Sequence, residues 1–266
     1  MRAELQKNAD RFTGFADVYD EARPSMPQYP LQVLQRYLGR RPTMVVDLGC
    51  GTGLSTAVWV GRCDTVVGVD PSADMLAVAS SRQLPGATFV RAFAHQTGLP
   101  DGCADVAVCS QSFHWMEPKS TLREVGRILQ PGGVFATVDC DWPPVADWRA
   151  EKAFLDLYQQ VQRLETELPE VRESFVRYRK EQHLEHLRQS GLFRYCRELL
   201  FANTEPCSAD RLVRLLLSQG SVQAVLKQAP DRIEGELAAL RANLRDLYGD
   251  AQFPVDFCYR MRVGVR

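Results

Sequence analysis

The first 140 residues alternate short apolar runs with amphipathic segments. The apolar runs predict strands over 43–48, 65–70, 87–91, 104–110 and 134–139. The segments between them predict helices over 54–61, 72–82 and 118–130. Strands that are apolar along their whole length are typical of parallel sheets, because helices cover both faces of such sheets. This half of the chain is therefore expected to form βαβ units.

The pattern changes after Asp141, where two prolines and two tryptophans predict a loop. Beyond it, apolar residues at helical spacing predict a helix from Phe154 to Leu168. Further helices are expected over roughly 170–190, 208–219 and 231–247, and two more strands over 193–202 and 253–265. We interpret residues 1–266 as a single domain with an N-terminal helical lid (1–42), a core (43–140) and a helical cap with closing strands (141–266).

Composition and charge narrow the possible partners. Lys and Arg number 32 against 33 Asp and Glu, so we expect neither nucleic acid nor a membrane surface as a partner. No window reaches the ~20 apolar residues of a membrane helix, and the first residues carry no apolar run, which predicts a cytoplasmic protein. The eight scattered cysteines are expected to be reduced, buried thiols. A monomer or a homodimer is consistent with this composition.

His183 and His186 lie three residues apart in a predicted helix, beside Glu181 and Glu185. This spacing could form half of a metal site. Because no matching ligands occur elsewhere in the sequence, we interpret the segment as a solvated, charged helix face and expect no metal.

Glycines alternate in the turn between the first predicted strand and the first predicted helix, in the segment VVDLGCGTG (45–53). Alternating glycines let the backbone turn tightly and approach a ligand closely, and the helix that follows offers free N–H groups. Asp70 ends the next predicted strand, where an acid accepts hydrogen bonds from ribose hydroxyls in such folds. Leu54 stands where a dinucleotide motif needs glycine, so the turn favours a ligand with one nucleoside.

These segments resemble the class I S-adenosylmethionine-dependent methyltransferases, in particular a small-molecule branch similar to trans-aconitate and ubiquinone-biosynthesis methyltransferases. The resemblance is carried by VVDLGCGTG, VVGVDPSADML, ADVAVCSQSFHWM and LQPGG. It implies a Rossmann-like sheet of seven mostly parallel strands, with helices on both faces and an antiparallel last strand. It also implies that residues 43–140 bind S-adenosyl-L-methionine and that the product is S-adenosyl-L-homocysteine.

The resemblance further implies roles for individual residues. Gly49, Gly51 and Gly53 would line the methionine end of the cofactor, Asp47 would support the turn, and Asp70 would accept from the ribose. Phe93 stands where the family usually has a small polar or acidic residue, so it would offer its ring to adenine beside the backbone of Ala94. The remaining cofactor-binding residues implied are Cys50, Pro71, Met75, Ser110 and Gln111.

His114 and Trp115 follow the fourth predicted strand, at the edge where open α/β sheets bind ligands. His114 is a candidate general base or a hydrogen-bond partner of the substrate, and Trp115 is a candidate substrate wall or packing residue. Tyr19 and Arg23 lie in the segment that folds over the site in the family. Tyr19 and Arg23 would contact the cofactor carboxylate or a substrate acid, with Tyr19 as a catalytic candidate and Arg23 as a substrate-binding one. The alternative is that this segment is an exposed capping helix. We predict that all four line one cavity.

The function implied is methyl transfer to a small-molecule acceptor by in-line displacement, which positioning alone can accelerate strongly. Two other functions remain open at this point. One is a non-catalytic S-adenosylmethionine-binding sensor or partner subunit. The other is an NAD(P)-dependent oxidoreductase, which Leu54 disfavours.

Overall fold

The computed structural model describes residues 7–8, 20, 22–173 and 175–266 of the chain. Its strands are β1 Met44–Leu48, β2 Thr65–Asp70, β3 Ala87–Arg91, β4 Ala104–Ser110, β5 Leu129–Cys140, β6 Tyr195–Cys207 and β7 Phe253–Val265. They form one seven-stranded sheet in the order β3-β2-β1-β4-β5-β7-β6.

Strands β1 to β5 pair in parallel, and β7 runs antiparallel to β5. The prediction of a Rossmann-like, mostly parallel sheet with an antiparallel last strand is therefore confirmed. Because β2, β1 and β4 are neighbours, the loops that follow them lie at the same edge of the sheet.

The helices of the described residues connect and cover these strands. They are α1 Gln28–Leu38, α2 Leu54–Ala57, α3 Ala73–Ser81, α4 Pro118–Ile128, α5 Trp148–Glu167, α6 Pro169–Arg172, α7 His183–Gln189, α8 Ala209–Leu217, α9 Gly220–Gln228 and α10 Glu234–Tyr248. Short 3₁₀ turns occur at Phe113–Trp115, Lys180–Gln182 and Pro230–Arg232.

The chain divides into two compact units. The sheet unit comprises Ser25–Cys140, Arg177–Leu200 and Tyr259–Arg266, and the helical unit comprises Met1–Pro24, Asp141–Val176 and Phe201–Cys258. The interpretation of residues 1–266 as a single domain stays a prediction beside this division.

Apolar burial on the central strands holds the sheet unit together. The first six residues of β4 are buried, as are the last four of β1, which explains why most of their side chains are apolar. Phe135 on β5 packs edge-on against Phe113, with 5.8 Å between the ring centroids. This packing also anchors the 3₁₀ turn that follows β4.

In the helical unit, one apolar stripe of α5 is buried and the opposite face is exposed. Phe154, Val161 and Leu164 are fully buried at helical spacing, and α9 and α10 pack against α5. Asp147 caps α5 by accepting a hydrogen bond from the N–H of Arg149, and Ser208 caps α8 in the same way from Arg211. Local caps and a single buried face therefore account for the bounds of these helices.

The helix predicted over 54–61 is shorter in the structure, where α2 ends at Ala57. The N–H groups of Trp59 and Val60 donate to carbonyls three residues earlier rather than four. Gly61 then adopts a left-handed conformation, and the Trp59 side chain is fully buried. Burial of this large ring accompanies the end of the regular helix.

The predicted helix over 170–190 is wrong as a continuous element. α6 ends at Arg172 and α7 begins only at His183. Between them, the Val176 backbone exchanges two hydrogen bonds of 2.8 Å with the Asn8 side chain, and the Tyr178 N–H donates to the His114 carbonyl. Backbone groups that a helix would pair internally are thus bonded to residues far away in the sequence.

Two smaller differences concern single elements. α9 was not predicted, because a helix that begins at Gly220 offers no N-terminal signal. β5 begins at Leu129 rather than near residue 134, and its pairing with β4 shifts register between Ala104 and Val106.

Among the described residues, no helix has both the length and the apolar character needed to cross a bilayer. All eight cysteines are free thiols.

Gly264 on β7 is expected to tolerate no side chain, because a Cβ there would lie 2.6 Å from the Phe193 ring. Gly264→Ala should lower the free energy of unfolding by about 1–3 kcal/mol. Gly235→Ala in α10 is the matched control, since nothing lies within 4 Å of its Cβ position. The control should be neutral or stabilise by up to about 1 kcal/mol. Urea unfolding of both variants measures the difference, and equal stabilities would contradict the close approach.

Candidate functional site

The glycine turn is held by the backbone of the neighbouring strand. The N–H groups of Gly49 and Cys50 both donate to the Val69 carbonyl of β2, at 2.7 and 3.2 Å. Gly53 donates to Cys50, and its carbonyl accepts the first helical hydrogen bond, from Ala57. The turn between β1 and α2 is thereby fixed at the C-terminal edge of the sheet.

The three glycines serve different purposes. A Cβ on Gly49 would lie 2.6 Å from the Cβ of Ser112, and one on Gly53 would lie 3.2 Å from the Cβ of Ala79. Both positions are therefore required by packing inside the sheet unit. Gly51 also has a positive φ of 55°, but nothing lies within 4 Å of its Cβ position. Gly51 alone faces open space, as a position that cradles a ligand would.

Asp47 is fully buried at the end of β1. Its Oδ2 accepts hydrogen bonds of 2.7 Å from the hydroxyls of Ser55 and Thr56, in the first turn of α2. Burial raises the pKa of this carboxyl to about 6, despite the two hydroxyl donors. Asp47 thus links the strand directly to the helix on the far side of the glycine turn.

Asp70 accepts two backbone hydrogen bonds at the end of β2. Oδ2 accepts from the Gly51 N–H at 3.0 Å, and Oδ1 accepts from the Ser72 N–H at 2.9 Å. Burial raises the pKa of Asp70, and these two donors oppose the rise. Ser72 in turn caps α3, and the buried Met75 follows in its first turn. One carboxylate therefore orients both the glycine turn and the segment after β2.

The segment after β3 turns back on itself at Phe93. The Gln96 N–H donates to the Phe93 carbonyl at 2.9 Å, and the rings of Phe93 and His95 lie 5.6 Å apart. Ala94, which lies between these two residues in the sequence, is buried. The Pro71 carbonyl accepts a hydrogen bond from the Arg91 Nε. The adenine contacts expected of this segment stay predictions.

The residues after β4 form a tight turn at the same edge. Gln111 follows Ser110 in a left-handed conformation and donates its N–H to the Val138 carbonyl of β5. The Ser112 hydroxyl donates to the Leu48 carbonyl at the end of β1, at 2.6 Å. The 3₁₀ turn Phe113–Trp115 comes next, with the His114 and Trp115 rings 4.8 Å apart. These contacts fix His114 close to the end of β1.

His114 is buried beside the carboxylate of Asp139, which lies near the end of β5. The His114 Nδ1 is 3.5 Å from the Asp139 Oδ1, and the Lys180 Nζ is 3.5 Å from the same oxygen. Burial, together with the charge of Lys180, lowers the pKa of His114 to about 3, although Asp139 opposes this shift. The imidazole is therefore neutral at physiological pH.

Asp139 is the centre of a larger group that the sequence pattern did not reveal. Its Oδ2 lies 3.1 Å from the His183 Nδ1 and 2.9 Å from the Arg262 Nη1. Burial opposes the ionisation of Asp139, but Lys180 and the two imidazoles hold its pKa well below the usual value. The only sequence signal was an acid within an otherwise apolar strand, VFATVDC.

The interpretation of the His183 segment as a solvated face is wrong. His183 is fully buried, with its ring 4.9 Å from that of Phe113 in an edge-on arrangement. α7 turns this side chain toward Asp139, while Glu185 on the same helix is exposed. A charged sequence therefore hid the burial of His183, because the charges around it occupy the other faces of the helix.

Of the expected substrate residues, Arg23 lies in the helical unit. Its Nε donates to the Ser218 hydroxyl at 2.8 Å, and its Nη2 donates to the Ser218 carbonyl and the Gln219 Oε1. The guanidinium also lies 4.7 Å from the Trp142 ring centroid. Tyr19 lies outside the described residues. The cavity expected for Tyr19, Arg23, His114 and Trp115 stays a prediction.

Comparison with known proteins points to a methyltransferase domain that contains the glycine turn. Residues 46–137 match the methyltransferase domain family. A methyltransferase of Mycobacterium tuberculosis, itself uncharacterised, is 36% identical over 122 residues, which are 46% of this chain and 49% of the relative. The trans-aconitate 2-methyltransferase of Deinococcus radiodurans is 35% identical over 133 residues, 48% of this chain and 47% of that protein. The chain spans about half the length of the curated relatives it matches.

A solved structure shows the same fold over almost the whole chain. It is that of a candidate type II methyltransferase from Anaeromyxobacter dehalogenans, with a TM-score of 0.68 and 24% identity over 91% of this chain and 97% of that one. The part of the chain that matches the methyltransferase domain family is residues 46–137, and the resemblance to the class I S-adenosylmethionine-dependent methyltransferases noted in the sequence is confirmed.

The residues of the turn fit the cofactor of this class, S-adenosylmethionine. Gly51 leaves room in front of the turn, and the carboxylate of Asp70 keeps acceptor capacity beyond its two backbone donors. The remaining contacts expected from the sequence stay predictions, namely those of Asp47, Gly49, Cys50, Gly53, Pro71, Met75, Phe93, Ala94, Ser110 and Gln111.

Asp70→Ala is expected to weaken S-adenosylhomocysteine binding by at least about tenfold, because a hydrogen bond to a charged group contributes about 1.5–3 kcal/mol. The variant also releases the Gly51 N–H from its partner. Asp74→Ala removes an exposed acid of the neighbouring helix and is the control for net charge. Calorimetric titration of folded protein measures both. Equal affinity of the Asp70 variant and the control would remove Asp70 from the site.

Gly51→Ala should abolish or strongly weaken cofactor binding, because its Cβ enters the open space in front of the turn. Gly61→Ala is the matched control, since Gly61 also has a positive φ and no neighbour within 4 Å of its Cβ position. Both variants should lose similar stability through backbone strain, about 1–2 kcal/mol. Thermal melts and cofactor titration separate strain from exclusion, and normal binding by Gly51→Ala would make the turn purely structural.

Proposed function

We propose that this protein transfers the methyl group of S-adenosylmethionine to a small-molecule acceptor. The observation that carries the proposal is the glycine turn of the sheet unit, in which Asp70 holds the Gly51 N–H and His114 lies near the end of the adjacent strand. When bound, the cofactor supplies an electrophilic methyl group on a sulfonium. The residues of this chain would bind it and present the acceptor at the same edge of the sheet.

The proposed role of the protein is mainly to position the reactants. Holding two reacting atoms about 3–3.5 Å apart in the right orientation can lower a barrier by roughly 7–11 kcal/mol. Gly49–Gly53 and Asp70 would orient the cofactor, and the turn Phe113–Trp115 would orient the acceptor. His114 suits a positioning role because its imidazole stays neutral, with a pKa of about 3.

The acceptor that we propose is a small organic acid. Two relatives are named trans-aconitate 2-methyltransferases, one 35% and the other 38% identical over about half of this chain. A carboxylate is already ionised at neutral pH and needs no general base. This agrees with a site whose buried histidine is a poor proton acceptor.

Transfer of a labelled methyl group from S-adenosylmethionine to a panel of small acids, alcohols and amines tests the function. Labelled product with the acids and not with the alcohols or amines is the expected result. Tight cofactor binding without any turnover over a broad panel would favour the sensor or partner-subunit alternative. Binding of NAD(P) in place of S-adenosylhomocysteine would contradict the proposal outright.

The pH profile of the reaction should carry no limb from His114 between pH 5 and 8. A histidine with a pKa lowered to about 3 stays neutral until the pH falls far below that range, so its protonation state is constant there. His114→Gln should lower kcat/KM by up to about tenfold, the value of one neutral hydrogen bond, at every pH in this window. An acidic limb near pH 6.5 that disappears in His114→Gln would identify a titrating base instead.

A further inference from the structure

A buried group of charges lies behind His114 in the sheet unit, and the proposed reaction does not yet use it. Asp139 on β5 contacts four nitrogen-bearing side chains, each from a different element. They are His114 after β4, Lys180 in the 3₁₀ turn before α7, His183 at the start of α7, and Arg262 on β7. Such a convergence on one carboxylate in an apolar sheet needs a physical reason, because ionised groups are costly to bury.

The charges in this group balance without either histidine. Lys180 and Arg262 are cations, and Asp139 is one of their counterions. Glu198 on β6 is the other, since its Oε2 accepts from the Arg262 Nε at 2.7 Å. Arg260 on β7 also approaches Glu198, with 3.9 Å between its Nη1 and the Oε1 of Glu198, so cations compensate both carboxylates without a histidine. A protonated His114 would add an uncompensated charge to a buried site, which agrees with the lowered pKa of this imidazole.

A neutral imidazole carries one hydrogen, and the geometry shows on which nitrogen it lies. The Nδ1 atoms of His114 and His183 each face an oxygen of Asp139, at 3.5 and 3.1 Å. A lone pair on Nδ1 would meet the lone pairs of the carboxylate, whereas an Nδ1–H donates to it. The His114 contact is too long to count as a hydrogen bond, so the carboxylate favours the Nδ1–H form of His114 through its charge alone.

Lys180 connects this group to the residue after β4. Its Nζ lies 3.5 Å from the Asp139 Oδ1 and 3.4 Å from the Gln111 Oε1. The Tyr178 N–H, two residues earlier, donates to the His114 carbonyl at 2.8 Å. The segment before α7 therefore holds the backbone of His114 at one point and its carboxylate partner at another.

We propose that Asp139 and Lys180 are positioning residues of the methyl-acceptor site: Asp139 fixes His114 as the Nδ1–H tautomer, and Lys180 holds Asp139 and Gln111 in place. The inference rests on the proposed function for its catalytic meaning, but the tautomer is a property of the protein alone. With hydrogen on Nδ1, the Nε2 atom of His114 is a hydrogen-bond acceptor. On the organic acid proposed as acceptor, His114 would therefore contact an O–H or N–H group other than the carboxylate that receives the methyl group.

The tautomer can be measured without turnover by nitrogen NMR of protein labelled with ¹⁵N-histidine. The sequence contains four histidines, and a His→Gln variant of each assigns its signals. We expect the His114 Nδ1 to be protonated and Nε2 to be unprotonated, unchanged from pH 8 to pH 5.5. An Nε2–H tautomer, or an imidazolium in this range, would overturn the proposal.

Asp139→Asn should convert His114 to a mixture of tautomers or to Nε2–H, and should lower kcat/KM by up to about tenfold, no more than His114→Gln does. The affinity for S-adenosylhomocysteine should not change. The single variant leaves Lys180 and Arg262 with one counterion fewer. The double variant Asp139→Asn/Lys180→Gln removes one charge of each sign and is the control for this imbalance. A correctly folded double variant that retains the Nδ1–H tautomer and full kcat/KM would contradict the role of both residues.

Lys180→Gln tests the cation separately. Removing this charge should allow His114 to take up a proton at higher pH, so an acidic limb should enter the kcat/KM profile. Lys152→Gln is the control, because Lys152 forms an exposed pair with Asp156 in the helical unit. A Lys180→Gln profile identical to that of the control would overturn the role of Lys180. If no acceptor is methylated, the NMR measurement still decides the tautomer, so the two proposals fail separately.

Discussion

The buried carboxylate of Asp139 is the interaction on which the arrangement of side chains around His114 depends. An ionised carboxylate in an apolar sheet is stable only if cations and hydrogen-bond donors replace the water it has lost. Here Arg262 donates from the antiparallel neighbour strand, and Lys180 and His183 approach from the segment that precedes and begins α7. Removing one partner from such a group typically costs about 3–5 kcal/mol, so the arrangement ties distant segments together.

The consequence for His114 is electrostatic as well as structural. The compensation of Asp139 is complete before His114 is counted, so the imidazole gains nothing by protonation and loses solvation. A histidine in a polar, open turn would titrate near neutral pH. The same residue type in this position is a neutral hydrogen-bonding group, and its role follows from its neighbours rather than from its identity.

On the cofactor side, the carboxylate of Asp70 also connects separate segments of the chain. Asp70 accepts hydrogen bonds from the backbone of the segments that follow β1 and β2, at Gly51 and Ser72. Gly49 and Gly53 are required because other parts of the sheet unit occupy the space of their missing side chains. Gly51 is the member of the motif whose missing side chain no neighbour replaces, and its positive φ still favours glycine there.

The amino-acid sequence determined the sheet and the cofactor turn, because both depend on local patterns. Apolar strands of parallel type, alternating glycines and an acid at the end of β2 are visible within short windows, and their positions matched the structure closely for β2, β3 and β4. Only the tertiary structure decided the break between α6 and α7 and the burial of His183. Both result from hydrogen bonds across large sequence separations, such as that of Tyr178 to His114 and that of His183 to Asp139. No periodicity records such contacts, since a charged helix that buries a polar side chain resembles a fully solvated helix until the partner of that side chain is in place.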